Sequence, residues 1–205
     1  MQRAKKLIGY AATHPDAIIT YHASDMVLVG HSNASYLSES GSRSRAGGHF
    51  FMTYESENPP NNGAIMTISK IIKAVMSLAA EAELCALFVN CREAIPARIF
   101  LKERGHKQPQ TSMQTDNTTV LGVVNNNIVS KRLKLMDMII NWLRCRISQE
   151  QFRHYWKPGP TNLGDYSTKH HTAIHDRTMI PMYLTSKKYL DLLRKINQVF
   201  GAVTA

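Results

Sequence analysis

Cysteine is scarce in this sequence, and long apolar runs are missing from it. The three cysteines, Cys85, Cys91 and Cys145, are too few and too scattered among 205 residues for a disulfide framework. We therefore expect structural roles for all three and a reducing compartment. No run of about 18 apolar residues predicts a membrane span, and no signal-peptide core follows the basic start. These absences predict an intracellular protein of the cytoplasm or nucleus, without a membrane partner.

Acidic residues are also in short supply. The chain has 15 Asp and Glu against 25 Lys and Arg, which gives a net charge of +10 at pH 7. This balance favours a polyanionic partner such as nucleic acid. Hydrophobic residues make up 43% of the chain, enough for a sizeable core, so the composition excludes a disordered or collagen-like protein.

Strand-like segments dominate the first third of the chain. Apolar runs, the second of them rich in valine, predict strands over four ranges: 17–22, 26–32, 49–54 and 64–69. A Ser-, Gly- and Arg-rich loop is predicted over 38–48, and the Pro- and Asn-rich segment 55–63 predicts a turn. Short strands separated by turn signals indicate an antiparallel meander.

Helical periodicity begins after residue 70. It predicts helices over 72–88, 95–104, 119–124, 131–147 and 162–171, with strands over 112–115 and 151–156 between them. Gly105 is a suitable C-terminal cap for the second of these helices. Strands followed by alternating helices and strands predict an α/β fold around a mixed sheet. A last amphipathic helix is predicted in the tail, over 183–200.

The few acids are placed informatively. Glu81 and Glu83 share one predicted helix but lie about 200° apart around it, so Glu83 faces the apolar side and Glu81 faces water. Asp116 directly follows the strand predicted at 112–115, and Asp165 follows a Pro-Gly-Pro turn. An acid on a packed face needs a partner or a metal ion. Periodicity alone leaves Glu83 open as a structural carboxylate or a metal ligand.

Four strings, in this order, resemble one known domain. They are SNASY, AAEAELCAL, TDNTTVLGVV and PGPTNLGDYSTKHH. Together they resemble the ribonuclease H domain of copia-type retrotransposon polyproteins, and the resemblance spans residues 13–171. Residues 172–205 add nothing to it and are expected to form a C-terminal tail. The resemblance implies a ribonuclease H-like fold, in which helices flank a five-stranded mixed sheet of three antiparallel strands followed by alternating helix and strand.

The resemblance also implies a chemistry, which is endonucleolytic cleavage of the RNA strand of RNA–DNA hybrids. In that family four acids hold two Mg²⁺ or Mn²⁺ ions, because hard cations prefer oxygen ligands. Carried over residue by residue, the motifs place Asn33, Glu83, Asp116 and Asp165 at those positions. Asn33 departs from the expected aspartate, and its amide brings no negative charge. We therefore expect weakened metal binding and cleavage slowed by about a thousandfold or more.

The missing carboxylate at Asn33 could be restored in two ways. Asp25 or Glu39 could supply it, but neither lies at the strand end. Deamidation of Asn33 is disfavoured because alanine follows it. The alternative function is a catalytically dead fragment of a decayed mobile element that still binds hybrid or duplex nucleic acid. The polymerase portion that accompanies this domain in the family is not found in the chain, as that alternative expects.

Basic residues crowd the segment 131–157. It holds seven Lys and Arg against two acids, with three aromatic residues interleaved. The predicted nucleic-acid contacts are Lys131, Arg132, Lys134, Arg144 and Arg146, whose affinity for phosphates would depend on salt. The competing interpretation is a solvated helix face whose tryptophans belong to the core, and the sequence leaves both open.

Overall fold

The computed structural model describes residues 2–125, 136–183 and 185–186. The elements in chain order are α1 (Gln2–Thr13), β1 (Ala17–Ile18), β2 (Val27–Glu39), β3 (Arg43–Thr53), β4 (Ala64–Ile72), α2 (Ala79–Glu103), β5 (Thr111–Thr115), α3 (Thr118–Val124), α4 (Asp137–Ser148), β6 (Phe152–Trp156), α5 (Ala173–Tyr183) and β7 (Thr185–Ser186). Two short 3-10 turns, Gly159–Thr161 and Asp165–Ser167, lie between β6 and α5.

The chain divides into two compact units. The described residues of 23–171 form the larger unit, and those of 1–22 and 172–205 form the smaller one. In the smaller unit, β1 pairs antiparallel with β7. In the larger unit, a five-stranded sheet has the order β4-β3-β2-β5-β6.

The five-stranded sheet is mixed. β2, β3 and β4 form an antiparallel meander, whereas β5 and β6 run parallel to β2. Parallel neighbours need a crossover, and the helices after β4 and β5 supply it. The predicted fold, three antiparallel strands followed by alternating helices and strands, is confirmed.

The main core lies between one face of this sheet and the helices α2, α3 and α4. Its buried side chains come from every layer and include Leu28, Phe50, Met113, Phe152, Leu84, Leu87, Val120, Val123, Ile140 and Leu143. Alternation along the strands turns these sheet residues to the helices, so their neighbours in the strands face the opposite side. That opposite face carries His31, Asn33 and His49, all of which are buried.

The predicted loop over 38–48 is wrong in most of its length. β2 continues to Glu39 and β3 begins at Arg43, so a tight turn with Gly41 and Ser42 at positive φ is all that separates them. Glycines such as Gly47 and Gly48 are common in loops, and their presence led to the loop prediction. In the structure they are strand residues that other segments approach closely.

Two predicted helices, 72–88 and 95–104, are one. Residues 64–72 are strand, and α2 runs without a break from Ala79 to Glu103 with Pro96 inside it. Gly105 follows the helix at φ +87°, as the prediction of a glycine cap requires. The predicted helix over 162–171 is wrong, because that segment forms only the 3-10 turn Asp165–Ser167.

Some predictions fall outside the described residues. The start of the helix predicted over 131–147 lies there, as does nearly all of the tail helix predicted over 183–200. No helix in the described part of the chain has both the length and the apolar character needed to cross a bilayer.

Candidate active site

Asn33 lies in the middle of β2, opposite Gly47 of β3. Its side chain is buried, with 4% of the residue exposed. The amide nitrogen Nδ2 donates to Asp165 Oδ1 at 2.7 Å, and the amide oxygen Oδ1 accepts from the backbone N–H of Ala34 at 2.7 Å. The predicted positions 33 and 165, far apart in sequence, are thus in direct contact.

The segment that carries Asp165 is fixed to β2 by hydrogen bonds. Asn162 Nδ2 donates to the carbonyl of Ser32 at 2.8 Å, and the backbone N–H of Leu163 donates to His31 Nδ1 at 3.2 Å. The second bond requires a neutral imidazole. Burial, with smaller effects from His49 and Lys157, lowers the pKa of His31 to about 3, so the ring can accept this bond at neutral pH.

Gly47 lets this segment approach the sheet. A Cβ atom at position 47 would lie 2.3 Å from the carbonyl oxygen of Gly164 and 2.4 Å from a methyl carbon of Thr168. Real Cβ atoms do not reach such distances from backbone atoms. The position beside Asn33 therefore has to be glycine if Asp165 is to lie over the strand.

Asp165 has cationic and polar neighbours that the sequence prediction missed. Lys169 Nζ lies 2.8 Å from Asp165 Oδ1, and Thr168 Oγ1 lies 3.5 Å from the same oxygen. His171 Nε2 lies 4.0 Å from Asp165 Oδ2, and its ring stacks on Tyr166 at 5.3 Å. The i,i+4 spacing of Asp165 and Lys169 is a helical pairing signal that could have found this ion pair.

The two acids near the start of α2 have different roles. Glu81 was expected to face water, which is wrong: it is 3% exposed. Its Oε2 accepts from the backbone N–H groups of Ser77 and Leu78 at 2.8 and 3.3 Å, so Glu81 caps the N-terminus of α2, the helix to which it belongs. Helical periodicity could not show this, because the capping bonds are made to residues outside the helix.

Glu83 lies one half-turn further and faces the site, as its position on the apolar side predicts. Its Oε2 is buried and has no hydrogen-bond partner among the described residues. Burial raises the pKa of Glu83 to about 8, with a further increase from the carboxylates of Asp116 and Asp165 and an opposing effect from the Ala34 backbone and Lys169. Without a cation, Glu83 is therefore mainly protonated at neutral pH.

Asp116 follows the end of β5, where strand prediction placed it. Trp156 Nε1 donates to the backbone carbonyl of Asp116 at 3.0 Å, which ties the end of β6 to the end of β5. Burial raises the pKa of the Asp116 carboxyl, and the Asp165 carboxylate raises it further against an opposing effect of Lys169. All three predicted acids thus interact electrostatically with one another.

The donor set suits a hard divalent cation. Three carboxylates and an amide oxygen offer only oxygen ligands, the type that Mg²⁺ and Mn²⁺ prefer. The unpartnered, buried Glu83 Oε2 is the observation that fits such an ion, because a carboxylate oxygen without a donor is costly to bury. The raised pKa values of Glu83 and Asp116 have a related cause, because burial and the neighbouring carboxylates disfavour negative charge at both groups when no cation is bound.

Of the five predicted nucleic-acid contacts, two lie in the described residues. Arg144 donates from Nε and Nη2 to the carbonyl of Val123 at 3.2 and 2.6 Å, which ties α4 to α3. Arg146 lies over the Trp142 ring at 5.0 Å. Trp142 itself packs edge-on against Phe88 of α2 at 4.9 Å, as the core interpretation expects. Lys131, Arg132 and Lys134 lie outside the described residues.

Comparison with known proteins places this fold. The sequence matches no protein-family model. It is 24% identical over 168 residues to the retrovirus-related Pol polyprotein from transposon TNT 1-94 of Nicotiana tabacum, and the match covers 82% of this chain. The chain spans only about 12% of that relative's length.

Solved structures agree on the architecture. The N-terminal RNase H domain of a Mycobacterium tuberculosis protein, solved as a fusion with maltose-binding protein, superposes with a TM-score of 0.50 at 13% identity, over 75% of this chain and 98% of that one. LC11-RNase H1, isolated from compost by a metagenomic approach, superposes with a TM-score of 0.51 at 11% identity, over 69% and 92%. The chain has a ribonuclease H-like fold and is similar to one segment of a retrovirus-related Pol polyprotein.

Proposed function

We propose that this chain is the ribonuclease H domain of a copia-type retrotransposon polyprotein, and that its cleavage of RNA in RNA–DNA hybrids is strongly impaired by Asn33. The observation that carries the proposal is the contact between Asn33 and Asp165, at 2.7 Å, beside Glu83 and Asp116. The fold and the Pol homologue support the domain type, and the amide at position 33 supports the impairment.

The residues of the candidate site have different roles in the proposed reaction. Glu83, Asp116 and Asp165 would supply the negative charge that holds divalent cations, and the neutral Asn33 amide would supply none. Bound cations of this kind lower the pKa of an attacking water and stabilise the charge on the leaving 3′ oxygen. The buried wall formed by β2 and the segment 162–168 fixes Asn33 and Asp165 relative to each other.

Replacing aspartate by asparagine affects the charge of the site and leaves its shape nearly unchanged. An amide oxygen can ligate a metal, but it cannot neutralise one. A loss of about 4 kcal/mol in transition-state stabilisation corresponds to about a thousandfold in rate. We therefore expect slow cleavage by the native chain in Mg²⁺.

A second function, hybrid binding without cleavage, is favoured by the same observation. In the native chain Asp165 is already satisfied by Asn33 and by Lys169 at 2.8 Å. A site paired in this way is stable without a metal, and binding to phosphates through the basic residues does not require one.

Cleavage assays on Asn33→Asp test the domain assignment. A hybrid labelled on its RNA strand and the same hybrid labelled on its DNA strand are incubated with this variant in Mg²⁺ and in Mn²⁺. The proposal expects internal cuts in the RNA strand alone, and no cuts by the matched double variant Asn33→Asp/Asp116→Asn. Cleavage of the DNA strand, or equal cleavage by the double variant, would overturn the proposal. If no protein cuts but hybrids are retained in a gel-shift assay, the binding function is supported instead.

A further inference from the structure

The Asp165 carboxylate already has two strong donors on one oxygen. Asn33 Nδ2 and Lys169 Nζ lie 2.7 and 2.8 Å from Asp165 Oδ1, within the range of charge-assisted hydrogen bonds. A cation shared by position 33 and Asp165 would have to displace both groups. Lys169, whose side chain is 52% exposed, therefore serves as the protein's own counter-ion at the place where that cation would bind.

The orientation of the Asn33 amide strengthens this point. Its oxygen accepts from the Ala34 N–H at 2.7 Å, so its NH₂ group is the part that faces Asp165. A flipped amide would turn its oxygen toward the Asp165 carboxylate and its NH₂ toward the Ala34 N–H, which places acceptor against acceptor and donor against donor. An aspartate at this position has no such donor and would leave the space between the two side chains to a cation.

The opposite side of the site is different. Glu83 Oε2 is buried without a partner in the described residues, and Asp116, unlike Asp165, has no ion pair in that part of the chain. A divalent cation between Glu83 and Asp116 would relieve both the missing hydrogen bond and the repulsion. The unmet demand for positive charge is therefore concentrated at this pair, away from the satisfied Asp165 oxygen.

The charge count agrees with a single ion. Four aspartates and glutamates would carry four negative charges, enough for two divalent cations. This chain has three, and Lys169 offsets one of them through its ion pair with Asp165. The remaining two negative charges match one divalent cation.

We infer that this site binds one divalent cation, held by Glu83 and Asp116, and that Asn33 and Lys169 together exclude a second ion at Asp165. The inference rests on the proposed function, since it assigns the same residues to metal binding. It goes beyond that function by giving Lys169 a positioning role and by fixing the number of ions.

Counting bound Mn²⁺ tests the inference without measuring activity. Free Mn²⁺ is followed by its electron paramagnetic resonance signal during titration, with and without saturating hybrid whose RNA strand is blocked against cleavage by 2′-O-methyl groups. The double variant Glu83→Gln/Asp116→Asn provides the baseline for ions bound elsewhere. Circular dichroism and thermal unfolding show that each variant is folded.

We expect one ion above baseline for the native chain and two for Asn33→Asp/Lys169→Met, with at least a tenfold tighter second site than in Asn33→Asp alone. Two ions on the native chain would overturn the inference and leave the proposed metal site standing. One ion on Asn33→Asp/Lys169→Met would overturn the assigned role of Asn33 and Lys169. Binding no greater than baseline by every protein would overturn the proposed function as well.

Discussion

Asn33 donates a hydrogen bond to Asp165, whereas an aspartate in its place could only accept one. Two carboxylates at that distance repel each other unless a cation lies between them. The native residue therefore stabilises the cation-free fold while it removes charge from the site. Changes at single residues can separate these two effects.

Replacing Glu83 tests how much the burial of this carboxyl group lowers the free energy of unfolding when the group is ionised. The pKa of Glu83 is raised from 4.5 to about 8 in the folded state. As pH rises, Glu83 therefore loses its proton at a lower pH in the unfolded chain than in the folded one. Stability is therefore lost between about pH 4.5 and 8, by up to about 1.36 kcal/mol per pH unit. Glu83→Gln should be more stable than the native chain at pH 8, with little difference at pH 4.5, in urea unfolding without divalent ions. An equal stability difference at both pH values would contradict this account.

A buried histidine in β6 makes an opposite prediction. His154 is 5% exposed, and neither ring nitrogen has a hydrogen-bond partner in the described residues. Burial lowers the pKa of His154 to about 4, so the unfolded chain takes up its proton first as pH falls. Stability is thus full above about pH 6.5 and declines toward pH 4.

The substitution His154→Leu removes this titration. We expect the variant to lose less stability than the native chain between pH 7.5 and 5, by up to about 1.36 kcal/mol per pH unit. Urea unfolding at both pH values measures the difference. Parallel pH profiles for the two proteins would show that His154 is solvated or paired in solution.

At the scale of elements, the position of Asp165 depends on a crossing of backbones. The segment 162–168 lies over β2 and β3, and Gly47 leaves room for the Gly164 carbonyl. Gly47→Ala should destabilise the fold by about 1–3 kcal/mol, as overpacking does, and should weaken the contact between Asn33 and Asp165.

The matched control is Gly9→Ala in α1, where a Cβ atom meets nothing within 4 Å. Loss of backbone freedom in the unfolded chain should make that variant more stable by about 0.5–1 kcal/mol. Chemical unfolding of both variants tests the pair. If Gly47→Ala is as stable as the native chain, the segment 162–168 does not lie over β3 as described.

Strands were predicted correctly where the local pattern of side chains is enough to indicate them. The runs predicted as strands at 112–115 and 151–156 place apolar Met113 and Phe152 between polar neighbours, and they form β5 and β6. Strand prediction failed at Gly47 and Gly48, because these residues are held in a strand by pairing with β2 and β4 and are glycine because Gly164 and Asn90 approach them closely. No local pattern contains that information.

Helix prediction failed for a related reason. Pro96 removes a hydrogen bond and normally breaks a helix. Here α2 continues past it because buried residues on both sides, such as Leu87 and Leu101, hold the helix against the sheet. Tertiary packing outweighed a local propensity of about 3 kcal/mol.

The candidate site was predictable only in part. Periodicity turned Glu83 inward, and the motif resemblance supplied positions 33, 116 and 165, which the structure brings within electrostatic reach of one another. The ion pair of Lys169 with Asp165 was missed, although the helix predicted over 162–171 contains both residues at i,i+4 spacing, because that spacing does not show that Lys169 reaches the site. The orientation of the Asn33 amide depends on the Ala34 backbone and is not readable from a sequence.

At the scale of the whole molecule, the net charge of +10 favours a polyanionic partner. Hybrid binding should weaken steeply with salt, because each phosphate contact releases counterions. If Lys131, Arg132 and Lys134 each contact a phosphate, replacing all three by alanine should reduce the slope of log K against log salt by about 2.7. Fluorescence anisotropy with a labelled hybrid at several salt concentrations measures that slope.

An unchanged slope would assign these three residues to a solvated surface. Replacing Arg144 by glutamine is a useful contrast, because its guanidinium donates to the Val123 carbonyl and ties two helices together. That variant should lose stability whether or not it loses affinity.

In the proposed function, the Asn33 amide is the group that limits cleavage by the native chain. The most direct test is the single-turnover rate of RNA cleavage in one hybrid, compared between the native chain and Asn33→Asp in Mg²⁺. We expect the variant to cleave faster by about a thousandfold, equivalent to about 4 kcal/mol. Equal rates would contradict the claim that Asn33 limits the native chain, and absence of cleavage by both would contradict the assignment of the site itself.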